Sequence, residues 1–245
     1  MGRQKPTVTA CGTVGSSHIE GTTTPVDYVF GVLFPFARDR VTDFLITYQQ
    51  NVEVTTDLEL LRQEYETDLK QGLSIPSWEG TEAIAAVPYI HHLISLDRKS
   101  TALKSLEGKI WNLGYQDGTL RSQVFPDVKP AFERWTSAGK RLFIFSSGSV
   151  QAQQLLFRYT EEGDLTGFLS GYFDTQIGAK REAESYRKIA DAIGIVPDKI
   201  LFISDVTAEL KAAQTVGMQT LFSIRPGNHS FETEGFQCIE NFGSV

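Results

Sequence analysis

The sequence predicts an α/β fold, a doubly wound parallel-sheet core carrying an inserted all-helical segment. Three observations predict it. Across residues 26–110 apolar side chains recur at helical spacing and β-rich runs are scarce. After Gly118 short apolar runs alternate with amphipathic helical stretches, the pattern of a parallel sheet covered by helices on both faces. Two of those runs stop at polar clusters, Ser146-Ser147-Gly148-Ser149 and Ser204-Asp205. In open parallel sheets, ligands bind at such carboxyl ends.

The elements follow in chain order. Residues 7–17 are mostly small and read as a loop or tail. Within them TVTACGTV alternates Val8, Ala10 and Val14 loosely with polar residues. That permits a weak strand, which Gly12 and Gly15 undercut. HIEGTTTP, residues 18–25, reads as a turn before a helix. Phe30, Leu33, Phe34 and Ala37 then mark one helix, and Leu58, Leu61, Tyr65 and Leu69 a second. A third is expected over residues 80–96, broken or kinked by Pro88, and a fourth over 100–113. Residues 127–138 place Val128, Ala131, Phe132 and Trp135 on one helical face, and Gly139 ends that helix. The strand RLFIF follows, then a helix over 150–159 capped by Ser149. A helix over 182–193 closes at Gly194. The strand KILFIS, a helix ended by Gly217 and the strand-like run MQTLFSI complete the series before Arg225-Pro226-Gly227.

Bulk properties narrow the function classes. A chain of 245 residues can form one large domain, or a core with an inserted smaller one, without disulfides. Its two cysteines, Cys11 and Cys238, make no disulfide framework and point to a reducing compartment such as the cytosol. A net charge of −7 gives no general basic footprint for nucleic acid. No apolar run reaches the roughly 18 residues of a membrane span. The start has no apolar core of a secretory signal, and Pro6 stands where a myristoylation motif wants Ser or Thr. Nucleic-acid and membrane partners are therefore not expected.

Four constellations carry chemistry, each with a plain alternative. FIFSSGS delivers Ser146 and Ser147 onto a glycine and a helix start, where hydroxyls and free N–H groups suit an anion; the plain alternative is an N-cap with turn serines. LFISDVTAEL ends a strand at Asp205 and puts Glu209 one helical turn on. A strand-end carboxylate can ligate magnesium; the plain alternative is a capping aspartate with a solvated glutamate. Lys180, in a loop before a helix, can neutralise a phosphate as a point charge, although a solvated surface lysine is the commoner case. In HIEGTTTP, Glu20 can act as general acid or base, against an ordinary turn. Arg181, Arg187 and Lys188 read as surface charges.

The order of these pieces is more specific than any one of them. An acidic loop, a helical insertion, a serine-ended strand, a lysine and an acidic strand end together resemble the haloacid-dehalogenase superfamily of phosphotransferases. IEGTTTP, VLFPFAR, FIFSSGSVQAQQLLF, GYFDTQIGAKREAESYRKIA, LFISDVTAEL and RPGN narrow the resemblance to its enolase-phosphatases, over residues 18–228. The resemblance implies a Rossmann-like core of residues 1–25 and 118–245, with a helical cap of residues 26–117. It implies that a small diketo phosphate, 2,3-diketo-5-methylthiopentyl 1-phosphate, is enolised and dephosphorylated to an acireductone in methionine salvage. It also implies one Mg2+ per chain and a cytoplasmic monomer, with a nuclear location open in a eukaryote. Glu20 then falls on the second acidic position of the first loop, a catalytic and metal-binding place. Ser146 and Ser147 fall on the phosphate-binding pair, Lys180 on the phosphate lysine and Asp205 on the downstream metal ligand.

One position departs from the pattern. The family's first loop begins with an aspartate after an apolar strand; here that aspartate is His18, preceded by GTVGSS. Imidazole is no substitute for a hard oxygen ligand to magnesium, so the sequence predicts phosphatase activity lower by several orders of magnitude. Loss of the central strand is also expected to weaken the sheet. Three explanations stand: a misread chain start or splice junction, a pseudoenzyme that binds a phosphorylated ligand without turnover, and altered chemistry through His18.

Overall fold

The computed structural model of the chain describes residues 7–9, 19, 21–228 and 233–245, so Cys11, His18 and Glu20 lie outside the described residues. The described chain divides into two compact units, Met1–Val29 with Arg121–Val245, and Phe30–Leu120. It opens with strand β1 (Thr7–Thr9) and, after the 21–24 turn, helix α1 (Val26–Tyr28). A π-helical turn, Val29–Leu33, leads on into α2 (Phe34–Tyr48).

The Phe30–Leu120 unit is helical: α2, α3 (Val52–Lys70), α4 (Val87–Ser95) and α5 (Thr101–Gln116). Asn51 starts α3 by accepting hydrogen bonds from the Glu53 and Val54 N–H groups, and Ser100 caps α5 at the Leu103 N–H. Pro88 lies in the first turn of α4 behind a 3-10 turn, Ala83–Ala86. It starts that helix instead of kinking one that runs from residue 80, because a first-turn residue needs no backbone donor. α5 packs against α2 and α3. Trp78 and Trp111 are buried, and the Trp111 Nε1–H donates to the Leu33 carbonyl.

The other unit carries the sheet. Its elements are α6 (Val128–Ser137), β2 (Leu142–Phe145), α7 (Val150–Arg158), β3 (Leu169–Phe173) and α8 (Ala183–Ile193). After these come β4 (Ile200–Ser204), α9 (Thr207–Thr215), β5 (Gln219–Ser223) and β6 (Cys238–Ile239). The strands pair in parallel in the orders β1-β4-β5-β6 and β2-β3. Every residue of β2 and β4 is buried. Neighbouring strand residues point to opposite faces, so both faces of the sheet are covered. Phe132, Phe145, Phe157, Tyr186, Phe202 and Phe222 anchor the core.

The structure corrects the expectation that the first strand is lost. β1 pairs with β4 from Thr7↔Ile200 to Thr9↔Phe202, and it also runs beside β2. A parallel ladder is made by backbone groups, so the polar sequence TVT can occupy this inner place. No helix among the described residues is long and apolar enough to cross a membrane.

Candidate functional site

The carbonyls of the 21–24 turn are held from distant parts of the chain. Gly21 N–H closes on the Thr24 carbonyl at 2.8 Å, and the Thr23 and Thr24 N–H groups reach back to the Ile19 carbonyl. The Gly21 carbonyl accepts from Asn228 Nδ2 at 2.9 Å and from Ser223 Oγ at 3.3 Å. The Thr22 carbonyl accepts from Arg225 Nε at 3.0 Å, and the Thr23 carbonyl from the Phe125 N–H at 2.9 Å. Arg225 is itself buried, with its guanidinium against the Phe125 and Phe242 rings and bonded to Asp127 and the Glu240 carbonyl. Thr22 Oγ1 and Thr24 Oγ1 are buried without a hydrogen-bond partner among the described residues.

At the end of β2, the Ser146 N–H donates to the Phe173 carbonyl and continues the pairing with β3. Ser146 Oγ accepts from the Gly148 N–H at 3.2 Å, which leaves its hydroxyl hydrogen to be donated elsewhere. Ser149 caps α7 by accepting from the Ala152 N–H, as the sequence predicts. Gln153 ties this corner to β3 through the Gly148 and Phe173 carbonyls.

At the end of β4 stands a buried charge cluster. Lys180 is 4% exposed and Glu209 fully buried; Lys180 Nζ sits 2.9 Å from Glu209 Oε1, over the Phe145 ring. Tyr186 steadies the lysine's backbone through a 2.6 Å bond from its hydroxyl to the Lys180 carbonyl. Ser204 Oγ donates to Glu209 Oε2 at 2.8 Å and accepts from the Val206 N–H. Burial raises the Glu209 carboxyl pKa, and Lys180 draws it back down. Asp205 is pushed up to about 8, first by burial and then by the nearby Glu209 charge, with Lys180 opposing. Asp205 Oδ1 is buried without a hydrogen-bond partner among the described residues, while Oδ2 receives Asn228 Nδ2 at 3.4 Å.

Gly21 closes against this cluster. Its φ is +77°, and a Cβ there would lie 2.3 Å from Asp205 Oδ2 and 2.9 Å from Asn228 Oδ1. The turn after the first loop, the end of β4 and the 225–228 loop therefore meet at one point. Lys180, Glu209 and Asp205 are coupled electrostatically, and Lys180 lies over the residue that precedes Ser146. His18 and Glu20 flank Ile19 but fall outside the described residues.

Two plain alternatives fail. Lys180 is not a solvated surface lysine, and Glu209 is not a solvated glutamate: each is buried against the other. Nor does Asp205 cap α9, whose N-cap is Val206 without a side-chain bond. Arg181, Arg187 and Lys188 are exposed. Sequence reasoning placed Ser204 at the strand end without a role, and it singled out neither Arg225 nor Asn228. Only the RPGN segment signalled the last two, and it names no contact.

The donor set suits a hard cation. No trio of His, Cys, Asp or Glu side chains gathers among the described residues. What gathers is the carboxylate of Asp205 with an unsatisfied oxygen, beside the unsatisfied amide oxygen of Asn228. Magnesium takes such oxygens together with water.

Comparison with known proteins gives four findings. The haloacid dehalogenase-like hydrolase family matches over residues 31–217. The chain is 59% identical to the protein named Enolase-phosphatase E1 of Synechococcus elongatus, over 93% of this chain and 94% of that protein. It is 46% identical to the Klebsiella oxytoca protein of the same name, over 90% and 93%. Among solved structures it matches the UTR4 protein of Saccharomyces cerevisiae with a TM-score of 0.75 and 31% identity, over 99% of this chain and 100% of that one.

Proposed function

We propose, because the chain belongs to the haloacid dehalogenase-like hydrolases and within them to the enolase-phosphatases, that it is built to enolise and dephosphorylate 2,3-diketo-5-methylthiopentyl 1-phosphate in methionine salvage. The observation that supports this most is the buried Lys180–Glu209 pair beside Asp205, at the carboxyl ends of β2 and β4. A desolvated ammonium and a desolvated carboxylate at a sheet edge suit a phosphate and its cation.

The residues take the following roles. Ser146 donates its hydroxyl hydrogen to a phosphate oxygen, since its oxygen already accepts from Gly148. Ser147 contributes at the same corner. Lys180 presents a positive charge held in place by Glu209. Asp205, with Glu20, would hold one Mg2+, which when bound supplies positive charge to the phosphate and enolate oxygens. Glu20 moves the proton of the enolisation. The helical residues 26–117 serve as the cap domain, and residues 1–25 with 118–245 as the core domain. We place the protein in the cytoplasm as a monomer.

The histidine at position 18 favours a second reading, a non-catalytic protein that binds the phosphorylated ligand. Imidazole offers nitrogen where the site calls for a hard oxygen. The test is phosphate release from the diketo phosphate with Mg2+, for this chain and for His18→Asp. The enzyme reading expects the substitution to raise the rate by several orders of magnitude. Binding of the diketo phosphate without turnover in both proteins would establish the binder instead. Asp205→Ala should weaken Mg2+ binding in either; unchanged affinity removes Asp205 from the metal site.

A further inference from the structure

We infer that Asn228 is a positioning residue of the cation site, with its Oδ1 accepting a hydrogen bond from a water on the cation bound at Asp205. The inference rests on the proposed role of Asp205.

The orientation of the amide carries the argument. Amide N and O are told apart by their partners. The Nδ2 side faces two acceptors, the Gly21 carbonyl at 2.9 Å and Asp205 Oδ2 at 3.4 Å. An oxygen there would meet oxygens, so Oδ1 must point the other way. That Oδ1 is buried and has no donor among the described residues. Leaving a buried acceptor unsatisfied costs about 1–3 kcal/mol, and Asp205 Oδ1 is left in the same state.

The two side chains also converge. One point on the bare face of Gly21 lies 2.3 Å from Asp205 Oδ2 and 2.9 Å from Asn228 Oδ1. Asp205 Oδ2 is bonded to Asn228 Nδ2, so the acceptors left over are Asp205 Oδ1 and Asn228 Oδ1, which a cation and the water it polarises would satisfy together. The other nearby carboxylate is not available, because Glu209 is held by Lys180 and Ser204. A magnesium ion keeps several waters, and those waters need acceptors. Asn228 supplies a neutral one, and its N–H bonds fix that oxygen relative to the Gly21 turn.

The probe is Mg2+ itself, titrated calorimetrically into the metal-free chain, with bound Mn2+ counted by electron paramagnetic resonance. Asn228→Leu removes the oxygen, and Asn228→Asp keeps one. The expected result is affinity weakened by about 10–100-fold in Asn228→Leu, the usual effect of losing an outer-shell partner, and held within about tenfold of the parent in Asn228→Asp. Melting temperatures in EDTA separate this from misfolding; Asn228→Ser replaces the leucine variant if that one does not fold. Parental affinity in the leucine or serine variant overturns the inference. So does an aspartate variant as weak as the leucine one, which would make Asn228 a clamp on Gly21 and nothing more. Asp205→Ala is run alongside. If it too leaves Mg2+ affinity unchanged, the reading of Asp205 fails and the Asn228 role falls with it; if Asp205→Ala weakens binding and Asn228→Leu does not, the Asn228 role alone is wrong.

Discussion

Substituting Gly21 by alanine should do two kinds of damage, and a second glycine separates them. Gly21 has φ +77°, a conformation that costs an L-residue about 1–2 kcal/mol. Its new Cβ would also lie 2.3 Å from Asp205 Oδ2, so the two atoms must part by roughly 0.7 Å to reach even a 3.0 Å contact. Asp205 is buried and bonded to Asn228, so it cannot swing aside cheaply. Overpacking of this kind adds about 1–3 kcal/mol. Gly139 has φ +74° in the same unit, but a Cβ there meets nothing within 4 Å. Gly139→Ala should therefore cost only the backbone strain. Urea unfolding of the two variants gives the difference, expected near 1–3 kcal/mol. In a form that turns over, displacing Asp205 should also reduce phosphate release by about a hundredfold, because a misplacement approaching 1 Å has that effect. Equal destabilisation by the two substitutions would refute the contact on which the site description depends.

Three further outcomes are expected. Glu209→Gln should destabilise the chain by about 3–5 kcal/mol by taking the buried carboxylate from Lys180. That lowers the melting temperature by roughly 6–20 °C, and Lys180→Met in the same chain should recover part of the loss; a fall under about 2 °C would contradict a buried pair. Burial, with Asp97 adding and Lys104 and Lys99 opposing, pushes the Glu107 carboxyl up to about 8. The folded state thus binds this proton more tightly than the unfolded state. The contribution of Glu107 to stability should then fall as pH rises from about 4.5 to 8, at up to about 1.4 kcal/mol per pH unit, and Glu107→Gln should remove that share of the slope while the buried Asp205 and Glu209 keep theirs; identical slopes in denaturant titrations would sink the assignment. Arg225→Lys keeps the charge but loses the planar fork that reaches Thr22, Asp127 and Glu240 together. It should cost about 1–3 kcal/mol in urea unfolding, and a loss below about 0.5 would show that the fork is dispensable.

What the sequence disclosed follows from how each signal arises. β2, β4 and β5 were legible because strands covered on both faces become unbroken apolar runs. β3, with Ser170 exposed and its other residues only partly buried, and the two-residue β6 give no such run, so they went unread. β1 was legible only as a loose alternation, since its place is set by backbone pairing to β4. Pro88 was misjudged because a proline that starts a helix and one that breaks it differ only in where the preceding turn begins. Ser146, Ser147, Lys180 and Asp205 stood out through the order of their motifs. Glu209 was noticed but given the wrong environment, because burial depends on a lysine 29 positions earlier in the numbering. Asn228 and Arg225 meet partners more than 200 positions away, and no local pattern encodes such a pairing.

That separation has a consequence for how the molecule matures. The Gly21 and Thr22 carbonyls are anchored by Ser223, Arg225 and Asn228, across 202, 203 and 207 positions. Closing spans of that length is slow and entropically expensive. During synthesis the threonine turn emerges early, meets Phe125 midway and gains its other three anchors only when almost everything else has been translated. A ribosome-bound fragment stopping before residue 223 would hold the turn without these three anchors.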